Sequence, residues 1–251
     1  MKNDLADLLE SRIGRNFLLS YRRARNELPK EMTAKELTVL AAEACLSSSP
    51  YDPEFENSEH DFPHSSHLAD QEFSKLSVPG TPLDHKRQLW LTPRGIKPSP
   101  ENFRFDSSRF PADTTKPSLA FWTSTDVGDF FTSWQAWLEE GPDAHPKPWN
   151  IWHLEISPGV RVAEIHSPDT WGALCEKYPH DATPGVLEPD WEAVSADWDA
   201  VHLSLRGLLT AQQVAVDCGS ARTTQLLGWD AESTLWLRWR FTAVNLVAVI
   251  S

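Results

Sequence analysis

The residue types best suited to chemistry are two acids, Asp230 and Glu232, immediately before the run Ser233-Thr234-Leu235-Trp236-Leu237-Arg238-Trp239. With the two-residue alternation of a strand, Asp230, Glu232, Thr234, Trp236 and Arg238 share one face. Ser233, Leu235, Leu237, Trp239 and Phe241 share the other. The apolar second face is expected to meet the core. That leaves two carboxylates at the head of a stiff element, with the fixed direction a catalytic carboxylate requires. The competing expectation is two acids in water where a loop becomes a strand, the usual fate of a carboxylate. Two more polar features end apolar strands: Arg94 after Gln88–Thr92, and Thr123-Ser124-Thr125 after Leu119-Ala120-Phe121-Trp122. Arg94 also suits a surface ion pair, and Thr125 occupies the N-cap position of a helix starting near Asp126.

The elements that must position these groups fall into two regions. Residues 1–46 read as helical, with Leu5, Leu8, Leu9, Ile13, Phe17, Leu18 and Tyr21 three and four apart; Thr33 with Glu36 forms a capping-box pattern for a second helix to Ala44. Residues 47–84 lose periodicity and carry Asp52, Glu54, Glu56, Glu59, Asp61, Asp70 and Glu72, an acidic linker or extended loop. All 12 tryptophans lie at or beyond Trp90, so 85–251 is expected to hold the main domain. Its strands are expected at Gln88–Thr92, Leu119–Thr123, Trp149–Ile156, Val160–Ile165, Ala200–Leu205, Ser233–Arg240 and Thr242–Ile250. Ser157-Pro158-Gly159 should turn the third into the fourth as a hairpin. Helices are expected from Asp126 to Glu139, with Phe130, Phe131, Trp134, Trp137 and Leu138 on the apolar side, and over Trp171–Lys177. Without a βαβ rhythm or a GxGxxG, the fold class is α+β with mainly antiparallel sheets.

Composition excludes some functions. A net charge of −13 does not advertise nucleic-acid binding; Arg12, Arg15, Arg22, Arg23 and Arg25 form the best local basic patch, against the ordinary reading of a solvated helix face. Cys45, Cys175 and Cys218 lack the spacing of a zinc site or disulfide framework. His60, His64 and His67 lie near Glu59 and Asp61, but Pro63 disfavours a helix presenting them together, so no metal is expected. The start of the chain has no apolar signal region, and no apolar run approaches the length of a membrane span, so a cytoplasmic protein without membrane attachment is expected. His202 and His153 read as core or edge histidines rather than bases. No GxSxG elbow supports a serine hydrolase.

In order and setting, Arg94, Thr123-Ser124-Thr125 and Asp230-Ala231-Glu232 resemble the Arg…Ser-Thr-Ser…Glu-x-Glu branch of the ADP-ribosyltransferase superfamily, whose members include bacterial toxins and defence effectors. The resemblance covers residues 85–251. It departs at Asp230, where the family has Glu or Gln, and in a middle motif that reads Thr-Ser-Thr. It implies a mainly antiparallel two-sheet core behind a helical N-terminal segment, with NAD as substrate. ADP-ribose would move to a macromolecular acceptor, a protein side chain or a nucleic-acid base. Under it, Glu232 faces the cation that develops on the ribose, and Asp230 orients the acceptor. Arg94 holds the pyrophosphate through two parallel bonds, a place for which Arg104 and Arg109 compete. Thr123, Ser124 and Thr125 brace the glutamate and the cofactor, and Trp122 walls the pocket or stacks on nicotinamide. The rivals are an NAD glycohydrolase, with water as acceptor, and a non-catalytic interaction or immunity protein on the same fold. Residues 1–84 are expected to cover the cleft or to bind a neutralising partner.

Overall fold

The computed structural model describes residues 4–27, 31–48, 76, 78, 82–92, 95–109, 114–140 and 145–251. Arg94 and the cluster His60, His64 and His67 lie outside them, as does the side chain of Arg109. Seven strands make the main sheet: β1 (Gln88–Thr92), β4 (Phe121–Thr125), β5 (Trp149–Ile156), β6 (Val162–Ile165), β9 (Ala200–Leu203), β12 (Ser233–Trp236) and β13 (Phe241–Ile250). Their order is β13-β5-β1-β4-β12-β9-β6. Every pairing is antiparallel except that of β6 with β9. β2 (Asp106–Arg109) pairs with β3 (Pro117–Leu119), and β7 (Pro179–Thr183), β8 (Val186–Pro189), β10 (Ala215–Asp217) and β11 (Thr223–Gln225) form a four-stranded sheet. The fold is therefore α+β and mostly antiparallel, with its described strands in one large and two small sheets rather than in two.

The hairpin expected around Ser157-Pro158-Gly159 does not form. β5 and β6 occupy second and seventh place in the sheet, and β6 runs parallel to β9 instead. Five strand spacings of a flat sheet exceed about 24 Å, more than the few residues between Ile156 and Val162 span through a turn at Gly159 (φ +75°). The sheet must therefore roll over on itself. What it rolls around is an aromatic and aliphatic core: Phe121, Leu154, Ala200, Trp236 and Phe241, with Trp90 and Val162 packed against it. Trp236 meets Phe241 edge-on at 4.5 Å between ring centres.

The outer face of β6, β9 and β12 is covered by helices. These are α1 (Asp4–Glu10), α2 (Arg12–Glu27), α3 (Ala34–Ser47), α5 (Pro168–Lys177), α6 (Trp191–Asp197) and α7 (Leu205–Ala211). Leu8, Ile13, Phe17, Leu18 and Leu40 share one cluster with Leu203, Leu208 and Leu235, so the N-terminal helices complete the core of the sheet. The Thr33/Glu36 capping box that starts α3 forms as expected. Arg15 caps α1 through the Leu9 carbonyl rather than facing water.

Three expectations fail locally. β12 stops at Trp236, because Leu237–Arg240 turn back onto the stretch before β9: the Leu237 N–H donates to the Asp199 carbonyl, and Arg238 and Arg240 both bond the buried Asp199 carboxylate. All four β12 residues are buried, so neither face is exposed. The helix expected from Asp126 begins instead at α4 (Ser133–Glu140). Asp129 and Phe130 adopt positive φ in a turn closed by Val127 and Phe131, and Thr132 rather than Thr125 caps the helix.

Candidate active site

Glu232 sits on the last bend before β12, and β4 runs beside it. Although only 7% exposed, its carboxylate has four donors. Oε2 accepts from Ser124 Oγ at 2.8 Å and Thr125 N at 3.1 Å; Oε1 accepts from Thr125 Oγ1 at 2.8 Å and His202 Nε2 at 3.1 Å. Its N–H donates to Ser133 Oγ at 3.0 Å, which ties the residue to the first turn of α4. Ser124 and Thr125 thus hold the acid. Thr123 lies one step back.

Behind them runs a chain of donors that all point toward the carboxylate. Trp236 Nε1 donates to Thr123 Oγ1 (2.8 Å), which donates to Gln88 Oε1 (2.6 Å). Gln88 Nε2 then donates to Thr125 Oγ1 (3.0 Å), the hydroxyl that donates to Glu232. Aligned dipoles of this kind polarise one another and strengthen the final bond. Gln88, fully buried at the head of β1, was not expected as a site residue.

His202, in the middle of β9, was expected to be a satisfied core or edge histidine. It instead links two acids: Nδ1 is 2.6 Å from Glu164 Oε2, and Nε2 faces Glu232. Burial alone lowers the pKa of His202, but its bonds to Glu164 and Glu232, and their charges, overcome this and raise it to about 9. Burial would likewise raise Glu232. The hydrogen bond and charge of His202, with the bonds from Ser124 and Thr125, hold it below the ordinary carboxylate value instead. The centre is a buried imidazole that bridges Glu164 and Glu232. Glu164 also accepts the Leu83 N–H at 2.9 Å, and His166 stands 3.9 Å from it. His153 meets the Lys86 carbonyl.

Asp230 is not the neighbour of Glu232 that strand alternation implied. Its φ of +56° turns the chain, so period two does not reach it. It pairs with Gln212 through its N–H (3.1 Å) and Oδ1 (3.4 Å), and Lys116 Nζ lies 3.9 Å from Oδ2. Lys116 in turn lies over the faces of Trp122 (5.3 Å) and Trp134 (5.9 Å). Trp122 packs edge-on against Trp229.

Among the described residues, two cavities adjoin β4. One, of about 70 Å³, is lined by Glu232, His202, Thr125, Ser204, by Ala34 and Thr38 of α3, and by Pro82 and Asp84. Neither Asp230 nor Trp122 reaches it. The other opens where β1 and β4 part. They pair only at Gln88–Thr125 and Leu89–Ser124, then β1 follows β5 and β4 follows β12. This wedge, of about 370 Å³, is walled by Trp90, Phe121, Trp122 and Trp134, with Arg104 and His145 among its polar residues. Arg104 is exposed and donates to the carbonyls of Glu101 and Phe103. Among the described residues no group of three metal-binding side chains converges, and no helix is long and apolar enough to cross a membrane. No family model, curated protein or solved structure matches the chain.

Proposed function

We propose that the chain cleaves the nicotinamide–ribose bond of NAD and transfers ADP-ribose to a macromolecular acceptor, with Glu232 facing the positive charge that develops on the ribose. The observation that carries this reading is a buried carboxyl group, fixed by four donors, in the wall of a cavity. A charge oriented before reaction needs no reorganisation as the transition state forms, the most effective form of electrostatic catalysis. It also stands beside β4, which carries Thr123-Ser124-Thr125 and lies between β1 and β12 in the sheet.

A cavity of about 70 Å³ admits only the reacting edge of a sugar, whereas the wedge is in the range of small-molecule sites and its tryptophans suit a flat ring. The dinucleotide lies along β4 between them, and its entry displaces the cover made by α3 and residues 82–84. Because α1–α3 share the core with the sheet, they act as a wall that shifts rather than a segment that detaches. A second reading, water as acceptor, is favoured by Asp230: tied to Gln212 and Lys116 and absent from the Glu232 cavity, it is poorly placed to orient a nucleophile.

The test is incubation with NAD labelled in its ADP-ribose part, with and without cell lysate, beside Glu232→Gln and Asp230→Ala. Transfer predicts label on a macromolecule that is lost in Glu232→Gln. Free nicotinamide without macromolecular label, retained within a few-fold in Asp230→Ala, selects hydrolysis. Neither turnover nor NAD binding would overturn both and leave an interaction or immunity protein.

A further inference from the structure

A carboxyl group as enclosed as Glu232 is driven by burial toward its neutral form, which would carry no charge to offer the ribose. We infer that His202, held as an imidazolium by Glu164, is the positioning residue that keeps Glu232 anionic and aimed into its cavity, so that Glu164, His202 and Glu232 work as one unit. The inference rests on the NAD reading and deepens it.

The dependence runs in one direction. His202 is almost wholly buried, and a buried imidazole loses its proton unless an acid compensates it. Glu164 does so at 2.6 Å, the shorter of the two contacts. The charged ring then offers its second N–H to Glu232 at 3.1 Å. Two carboxylates around one imidazolium leave a negative charge for the reaction, and Glu164 restores what the ring would otherwise subtract. When the ring loses a proton, one N–H remains for two acids. The closer Glu164 keeps it, and the bare nitrogen turns its lone pair toward Glu232 Oε1. The carboxylate is pushed out of register, so activity falls in alkali.

The groups around the ring support this assignment. Glu164 faces it from β6 and Glu232 from the head of β12. Asp84 lines the same cavity, while Ser124 and Thr125 of β4 and Thr38 of α3 bring no charge. His166 lies 3.9 Å from Glu164; burial lowers its pKa, the Glu164 charge opposes this, and the charges of His202 and Arg206 add to the lowering.

The test joins a spectroscopic to a kinetic measurement on the full chain. In ¹⁵N NMR of histidine-labelled protein, both ring nitrogens of His202 should be protonated at pH 7.5 and titrate near pH 9. In Glu164→Gln the midpoint should drop by at least a unit. A single neutral tautomer at pH 7.5 overturns the inference, whatever the activity. The pH profile of nicotinamide release should fall above about pH 9. In His202→Gln, with an unchanged circular dichroism spectrum, that limb should vanish. Its acid limb should move up by a unit or more, and its rate at pH 6 should be at least tenfold lower. An acid limb that stays in place overturns the inference. Should His202→Gln not fold, Glu164→Gln decides it: its alkaline limb must move down with the ring's titration. No release by the wild type at any pH overturns the NAD reading, while the nitrogen spectra still decide whether His202 is the charge that holds Glu232.

Discussion

His202 should draw stability down in alkali by an amount that its own pKa shift sets. His202 has its pKa raised from 6.5 to about 9 in the folded chain, so the fold binds that proton more tightly than the unfolded chain does. Its contribution is therefore complete below pH 6.5 and is lost as pH rises through 9. At 1.36 kcal/mol per pKa unit this amounts to about 3 kcal/mol, on the order of 6–12 °C in Tm for a chain of this size. Glu232, held low, acts at the other end: its contribution is present above 4.5 and disappears as pH falls through its folded value. Lys116 works against the alkaline loss, since burial lowers its pKa against the pull of Asp230 and its penalty is relieved as it deprotonates. Absolute curves therefore mix signs, and the informative quantity is a difference. Urea unfolding at pH 6, 7, 8, 9 and 10 should be compared between the wild type and Glu164→Gln. The variant starts lower at pH 6, because it has lost the acid that stabilises the imidazolium. From pH 7 to 10 the wild type should lose at least about 1 kcal/mol more than the variant, whose ring keeps only Glu232, and the two curves should converge. Curves that stay parallel across that range would refute the assignment of the charge to His202.

Thr123→Val should cost about 1–3 kcal/mol despite its near-identical shape, since it strands Trp236 Nε1 and removes the hydroxyl that donates to Gln88. Urea midpoints measure it, with Thr242→Val, on an exposed Thr, as a control that should shift little. Asp199→Asn should destabilise by roughly 2 kcal/mol, because a buried carboxylate bonded to Arg238 and Arg240 is lost; the half-exposed guanidiniums keep the figure below that of a fully buried pair. A thermal melt within 1–2 °C of the wild type, roughly the effect of an ordinary surface change, would show that water replaces the pair.

What was legible in the sequence was what neighbours in the chain decide. β1 and β5 fall at their expected residues because their apolar runs are bounded by turn residues on both sides. The Thr33 cap forms because its partner, Glu36, is three residues away. Thr125 shows the limit of that logic. The same residue type in the same position before a helical pattern caps nothing, because its hydroxyl is claimed by Glu232, 107 residues away, through a register that only the assembled sheet sets. Alternation failed at Asp230 for a related reason: it assumes extended backbone, and a positive φ there sends the two acids to different neighbours.

A signal was nevertheless present in the pattern of exceptions. Gln88, Thr123, Ser124, His202, Glu232 and Thr234 each interrupt or border an apolar strand, and each taken alone resembles a tolerated defect or a solvent-facing position. All six prove buried. A buried polar group without a partner costs about 1–3 kcal/mol, so six of them unpaired would consume the whole stability of an ordinary domain. Polar residues inside strands too apolar to face water must therefore find one another. Taken together, they point to one network before any pairing is known. The acid among them then poses a stricter condition: a buried carboxylate needs a cation, and of the six His202 is the only side chain able to supply one. That condition converts His202 from an ordinary core residue into the group on which the charge of Glu232 depends.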